Sequence, residues 1–176
     1  MPFAQADDGT RIAYESHGAG SLKVLVLHGW GGSASYRRDL VSHLNWEGLH
    51  LIAPSYRGHG DSDKPSAGYT LDQFANDVLA VADAEGARRF VLVGFSMSGK
   101  FAQRIVAVHP ERVLGLVLIA PVPASEFPVP PEMAKAWCDT QHDRNACDPQ
   151  KLRRAPNPSM SFRAYGPRNV MKITPE

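Results

Sequence analysis

The chain of 176 residues is the size of one domain with a single hydrophobic core, and its composition, 43% hydrophobic and 21% charged, is typical of a soluble globular protein. Its formal net charge of +1 provides no concentrated basic field, so we expect neither nucleic acid nor an anionic membrane as a partner. The N-terminus has no secretory pattern, and no apolar run reaches the length of a membrane span, about 18 residues, which predicts a cytoplasmic protein.

The two cysteines, Cys138 and Cys147, give little reason to expect a metal site. Without a secretory signal we expect reduced thiols, although a disulfide between them stays open. His142 lies between them, but two cysteines at this spacing seldom bind zinc. We therefore expect no metal and no cofactor.

The chain begins with alternating apolar runs and turn residues. Asp8-Gly9 separates residues 2–5 from residues 10–16, which predicts an antiparallel hairpin because glycine accepts a positive φ. Continuous apolar runs predict buried strands at Leu22–Leu27 and over residues 50–54, with a helix over residues 35–44 between them.

The clearest predicted helix begins after Thr70. Thr70 and Gln73 have the spacing of a capping box, and Gly86 can end the helix. Apolar residues on one helical face follow the cap: Leu71, Phe74, Ala75, Val78 and Ala82.

Strand and helix continue to alternate after this helix. The apolar pattern predicts a strand over residues 90–93, a helix over residues 97–108 and a strand at Val113–Ile119. This order has the spacing of βαβ units, in which each crossover returns the chain to the same sheet. It predicts an α/β fold with a mostly parallel sheet and helices on both faces.

Regular structure is weaker after Pro121. Prolines at positions 121, 123, 128, 130 and 131 interrupt the backbone, which leaves at most one short helix over residues 132–138. From Pro149 onward we expect irregular coil, because no sustained period is present. The basic residues of this tail are Lys151, Arg153, Arg154, Arg163, Arg168 and Lys172.

A candidate nucleophile, Ser96, lies where a predicted strand meets a predicted helix. The sequence Gly94-Phe95-Ser96-Met97-Ser98-Gly99 resembles the nucleophile elbow of the α/β-hydrolase family. Such a turn needs small residues two positions either side of the serine, and Gly94 and Ser98 are small, although the family commonly has glycine where Ser98 stands. The alternative is a strand-to-helix turn in which Ser96 only caps the helix.

A loop after an earlier strand matches the same family. His28-Gly29-Trp30-Gly31 resembles the loop that supplies one backbone N–H to an oxyanion hole. The resemblance implies that the N–H groups of Trp30 and Met97 stabilise the oxyanion. The Trp30 side chain either lines the substrate pocket or anchors the loop on the core.

A third motif follows the next predicted strand. The segment from Tyr56 to Pro65, Tyr-Arg-Gly-His-Gly-Asp-Ser-Asp-Lys-Pro, resembles a family loop whose role is mainly structural. The family often has aspartate two residues before the arginine, whereas this chain has Ser55, so we expect a local hydrogen bond to be lost. We expect His59 to be a loop residue rather than a catalytic base.

The residues around Ser96 also approach a phosphate-binding P-loop, because Gly94, Gly99 and Lys100 have its spacing. A P-loop needs Ser or Thr at the next position to hold magnesium, and Phe101 stands there, which argues against nucleotide binding. Within the hydrolase fold, Ser96 argues against dehalogenase and epoxide hydrolase chemistry, which use a carboxylate nucleophile.

The family resemblance implies that the acid and the histidine of a catalytic triad follow the serine, after later strands. No further buried apolar run follows Ile119, and we expect the polar residues present to be surface residues: Glu126, Asp139, His142, Asp143 and Asp148. We therefore interpret residues 1–121 as a partial α/β-hydrolase core, residues 122–148 as the start of a lid, and residues 149–176 as an irregular basic tail. Truncation or an altered reading frame is the hypothesis that explains this order.

The resemblance implies a serine hydrolase of the esterase, lactonase or cofactor-free haloperoxidase-like kind, which acts on small carboxylic esters by acyl transfer. We expect impaired turnover in this chain, because the sequence offers no clear acid and histidine. A non-catalytic α/β-hydrolase-like binding protein, or an inactive fragment, is the alternative. The sequence does not predict an oligomeric state.

Overall fold

The sheet begins with the predicted antiparallel hairpin. The computed structural model describes residues 1–37 and 47–125, together with residues 132, 170 and 171. Strand β1 (Phe3–Gln5) pairs antiparallel with β2 (Arg11–His17), and Gly9 in the turn has a φ of 86°. The Asp8 carboxylate accepts a hydrogen bond from Thr10 N–H at 3.0 Å, which stabilises the turn.

Parallel strands form the centre of the sheet. They are β3 (Leu22–Leu27), β4 (Leu49–Pro54), β5 (Phe90–Phe95) and β6 (Val113–Ile119). Their spatial order is β4-β3-β5-β6, and β2 adds to β4 in the antiparallel direction. The carboxyl ends of these parallel strands lie at one edge of the sheet, where loops bring functional side chains together. The predicted α/β fold is confirmed.

A two-residue strand, β7 (Val170–Met171), pairs antiparallel with β6 and brings Val117 opposite Val170. The prediction of coil over residues 149–176 is therefore wrong at these two positions. The rest of that tail lies outside the described residues, as does the predicted lid segment apart from residues 122–125 and 132. The predicted domain boundaries stay predictions.

Helix α1 (Leu71–Ala84) lies where the sequence predicts it. The Thr70 side chain accepts a hydrogen bond from Gln73 N–H at 3.2 Å, which is one half of the capping box. The Gln73 side chain donates instead to Asp7 at 2.6 Å. The N-terminus of α1 is thereby joined to the β1–β2 hairpin as well as capped.

Helix α2 (Ser98–Val108) packs against α1 through aromatic rings. Phe101 stacks on Phe74 with ring centroids 4.7 Å apart, and Tyr56 meets both rings edge-on. Phe101 is buried in the core. The position at which a P-loop would hold magnesium is therefore occupied by a packing residue.

The predicted helix over residues 35–44 is described only at its beginning. Ala34–Arg37 forms a 3-10 turn, and residues 38–46 lie outside the described residues. Across the described part of the chain, no helix has both the length and the apolar character needed to cross a membrane.

A buried ion pair ties the loop after β4 to α1. The Arg57 and Asp77 side chains are both fully buried, and the guanidinium donates to the two carboxylate oxygens at 2.7 and 2.6 Å. Arg57 also donates to Asp8 at 2.7 Å, and this hydrogen bond holds the pKa of the Asp8 carboxyl well below its usual value. Because a buried charge without a partner is costly, the pair fixes the position of the loop.

A buried histidine joins the loop after β3 to the loop after β4. His28 Nε2 accepts a hydrogen bond from Tyr56 N–H at 3.2 Å, so the ring proton lies on Nδ1, which donates to Gly29 O at 2.8 Å. Burial lowers the pKa of His28 to about 4. The neutral ring is the form that holds the two loops together, since a proton on Nε2 would oppose the Tyr56 N–H.

Ser55, at the position where the family often has aspartate, forms hydrogen bonds through both its side chain and its carbonyl. Its hydroxyl accepts from Ala34 N–H at 2.9 Å, and its carbonyl accepts from the Ser62 hydroxyl at 2.7 Å. The Ser55 hydroxyl thus binds the backbone that follows β3, and the expected loss of a local hydrogen bond stays a prediction.

Replacing Asp77 by asparagine should destabilise the fold strongly, because Arg57 would stay buried and charged without its buried anionic partner. Breaking such a pair costs about 3 kcal/mol or more of unfolding free energy. Asp72→Asn is the matched control on the same helix, since it breaks only the exposed pair with Arg104 and should cost less than about 1 kcal/mol. Urea unfolding followed by circular dichroism measures both losses, and equal losses would contradict the prediction.

Acid should destabilise the fold through His28. Its pKa in the folded state is about 4 against an ordinary 6.5, so between these values the unfolded chain binds a proton that the folded chain excludes. The contribution of His28 is complete above about pH 6.5 and is lost as the pH falls toward 4, by about 3 kcal/mol over the interval.

Denaturant unfolding at pH 7 and pH 5 tests this contribution in the wild type and in His28→Gln, which has no titrating ring. The loss of unfolding free energy between the two pH values should be smaller in the variant. An equal loss in both proteins would assign the acid sensitivity to other groups.

Candidate active site

Ser96 occupies a tight turn between β5 and α2. Its φ of 53° lies in the left-handed region, which a residue with a side chain adopts at a cost of about 1–3 kcal/mol. Ser96 N–H donates to Ile119 O at 3.0 Å, and Gly99 N–H donates to Ser96 O at 3.0 Å. Met97 is the residue that precedes α2, and no side chain caps the helix there, so the geometry gives no support to Ser96 as a simple helix cap.

The turn around Ser96 leaves no room for larger neighbours. A Cβ atom on Gly94 would lie 3.1 Å from both Ala102 Cβ and Gly99 Cα, and one on Gly99 would lie 2.4 Å from Pro121 Cβ. The contact at Gly99 is closer than real Cβ atoms come, and the contacts at Gly94 would require the neighbouring atoms to shift by a few tenths of an ångström. The small-residue pattern that suggested an elbow is therefore a packing requirement of the turn.

Ser98 braces the turn from inside the protein. Its buried hydroxyl accepts a hydrogen bond from Phe95 N–H at 2.7 Å and lies 3.0 Å from Leu27 O and 2.9 Å from Phe95 O, either of which can accept its proton. The side chain thus links the ends of β3 and β5 beside Ser96. The sequence marked Ser98 only as a departure from glycine and did not reveal this role, because Leu27 is distant along the chain.

The loop after β3 lies against the Ser96 turn. A Cβ atom on Gly29 would lie 3.0 Å from the Phe95 ring and 3.4 Å from Ser96 Cβ, so the absence of a side chain lets this backbone approach the serine. Trp30 follows Gly29 and is 52% exposed. Whether the Trp30 side chain lines a substrate pocket or anchors the loop stays a prediction.

His59 lies in the loop after β4. Its Nδ1 atom is 3.1 Å from Arg57 O, and its ring centroid is 5.3 Å from that of His28. These contacts belong to the packing of the two loops, as expected for a loop residue.

The residues considered for the acid and base of a triad are not among those that the structure describes. Glu126, Asp139, His142, Asp143 and Asp148 all lie outside the described residues, as do both cysteines. Within residues 1–37 and 47–125, no cluster of three or more His, Cys, Asp and Glu side chains could hold a metal ion. The described site therefore consists of a serine, two neighbouring backbone segments and an exposed aromatic ring.

Comparisons with known proteins agree with this geometry. A family model described as the alpha/beta hydrolase fold matches residues 23–169. A non-heme chloroperoxidase of Streptomyces lividans is 39% identical over 125 residues, which are 70% of this chain and 45% of that protein.

Solved structures show the same likeness. An esterase from Exiguobacterium antarcticum has a TM-score of 0.71 and 30% identity, over 82% of this chain and 57% of that one. An N-acyl homoserine lactone degrading enzyme has a TM-score of 0.66 and 33% identity, over 81% of this chain and 53% of that one.

The chain spans about half the length of the relatives it matches. The family match nevertheless covers most of the chain, and it includes the Ser96 turn together with the loops after β3 and β4. The chain belongs to the α/β-hydrolase fold family.

Proposed function

We propose that this protein is a serine hydrolase of carboxylic esters, with Ser96 as its nucleophile. The observation that carries the proposal is the strained φ of Ser96 at the carboxyl end of β5, with Gly29 packed beside it. A strained residue persists only where its surroundings over-determine it, and such residues cluster at active sites. Similarity to an esterase and to a lactone-degrading enzyme supports ester chemistry, since a lactone is a cyclic ester.

In the proposed reaction the Ser96 oxygen attacks the carbonyl carbon of the ester, and a base takes the hydroxyl proton. The carbonyl oxygen becomes an oxyanion, which the N–H groups of Trp30 and Met97 stabilise. Collapse breaks the bond to the alcohol, which leaves with a proton, and water then hydrolyses the acyl-enzyme. Met97 suits this role because it follows Ser96 directly at the N-terminus of α2, where backbone N–H groups have no partner in the helix.

The acid and base of this proposal are not assigned to any described residue. A serine hydroxyl is a weak nucleophile without them, so the proposed ester hydrolysis belongs to a protein that brings an acid and a histidine to the Ser96 turn. For the chain alone we propose a low rate of turnover, which would come from the residual catalysis of the proposed oxyanion hole.

A covalent serine probe tests the nucleophile. We expect a fluorophosphonate to modify Ser96 slowly, at a site located by peptide mass spectrometry, because the proposed oxyanion donors favour the reaction while no described residue acts as its base. Ser96→Ala should abolish the modification, and Ser66→Ala, at an exposed loop serine, should leave it unchanged. Modification that persists in Ser96→Ala, or none in the wild type, would leave a non-catalytic binding protein of the same fold as the better interpretation.

Two substitutions of one residue separate the backbone of Trp30 from its side chain. Trp30→Pro removes the N–H and should slow modification of Ser96 about 100-fold, the usual effect of losing one oxyanion donor. Trp30→Ala keeps the N–H and should change the rate with a small probe less than about threefold. Rates measured by intact-protein mass spectrometry decide this, and similar rates in the two variants would contradict the role of the Trp30 N–H.

A further inference from the structure

The segment that follows β6 folds back onto the backbone of Ser96. Ser96 N–H donates to Ile119 O at 3.0 Å, and Val122 N–H donates to Ser96 O at 2.8 Å. Both main-chain polar groups of the serine are therefore bound to the same four residues, Ile119–Val122, which we call the clasp. Two hydrogen bonds on either side of one residue restrict its φ and ψ.

The clasp adopts a conformation that its own sequence does not favour. Ala120 has a φ of 44°, and Ser96 and Ala120 are the two non-glycine residues with positive φ in the described part of the chain. Such a conformation needs contacts elsewhere to hold it. The two strained residues are coupled. Ala120 lies between Ile119 and Val122, and the hydrogen bonds of Ile119 and Val122 are both made to Ser96.

One contact that holds the clasp is the packing of Pro121 on α2. A Cβ atom on Gly99 would lie 2.4 Å from Pro121 Cβ and 2.9 Å from Pro121 Cα, so the proline rests directly on the first turn of the helix. Apolar packing alone allows sliding along the helix surface, whereas a directional bond would fix the position.

Gln103 supplies the directional bond. Its Nε2 atom donates to Gly99 O at 2.9 Å and to Val122 O at 3.2 Å, so one amide group bridges α2 and the clasp. The same residue, Val122, uses its N–H to bind Ser96 O. A continuous path of hydrogen bonds thus runs from the Gln103 side chain through Val122 to the candidate nucleophile.

We propose that Gln103 is a positioning residue for Ser96, which acts through the clasp and does not touch the substrate. The proposal rests on Ser96 being the nucleophile. Without the Gln103 amide, Val122 is released from α2, its bond to Ser96 O lengthens and the serine oxygen moves relative to the oxyanion donors. Displacements of about 1 Å at a reacting centre cost up to about 100-fold in rate.

Gln103→Met tests this role, because methionine has a similar length and helix propensity but no donor. In fluorophosphonate modification we expect the maximal rate to fall at least about fivefold, with little change in the probe concentration that gives half of that rate. Arg104→Met is the matched control, since it removes a neighbouring donor that pairs with Asp72 instead of the clasp. If Gln103→Met were modified at the same maximal rate as the wild type, the role of Gln103 would be overturned and Ser96 would remain the proposed nucleophile.

Amide hydrogen exchange measured by nuclear magnetic resonance gives a second readout that does not depend on reactivity. The N–H groups of Val122 and Ser96 should exchange at least about tenfold faster in Gln103→Met than in the wild type, and at the wild-type rate in Arg104→Met. Unchanged exchange in Gln103→Met would overturn the proposal even if Ser96 were never modified. If the wild type were not modified but exchange were faster in Gln103→Met, the assignment of Ser96 as the nucleophile would fail. Gln103 would then still be the residue that holds the Ser96 backbone in position.

Discussion

The left-handed backbone of Ser96 is the constraint on which the rest of the site depends. A residue with a side chain leaves this conformation unless its neighbours prevent it, and here the neighbours are the ends of β3, β5 and β6. Gly29 approaches from the loop after β3, Gly99 from α2, and Ile119 accepts the Ser96 N–H from the end of β6. The turn is therefore a property of three adjacent strands and a helix.

Two buried polar groups hold the loops that surround this turn. Neutral His28 joins the loops after β3 and β4 by accepting from Tyr56 N–H, while Arg57 anchors the second loop on α1 through Asp77. Each group would be costly to bury without its partner, so the loops have one favourable arrangement. Because Gly29 and Trp30 directly follow His28, this arrangement also sets the distance between the proposed oxyanion loop and Ser96.

The likeness to other proteins covers the part of the fold that carries Ser96. Similar proteins bear the names of a chloroperoxidase, an esterase and a lactone-degrading enzyme, and each of them is similar to most of this chain. A nucleophile on a turn beside two backbone donors serves any acyl group that fits, so fold alone does not select a substrate.

Features set by neighbours along the chain could be predicted from the sequence, and features set by distant residues could not. The strands Leu22–Leu27 and Val113–Ile119, the Thr70 cap and the Ser96 turn all follow from local apolar runs and small residues. The bridge from Ser98 to Leu27, the pairing of Asp77 with Arg57 and the clasp on Ser96 needed the tertiary structure. The partners in these contacts come together only when the parallel strands align in the sheet. The spacing of residues along the sequence does not indicate which loops then meet at the edge of the sheet.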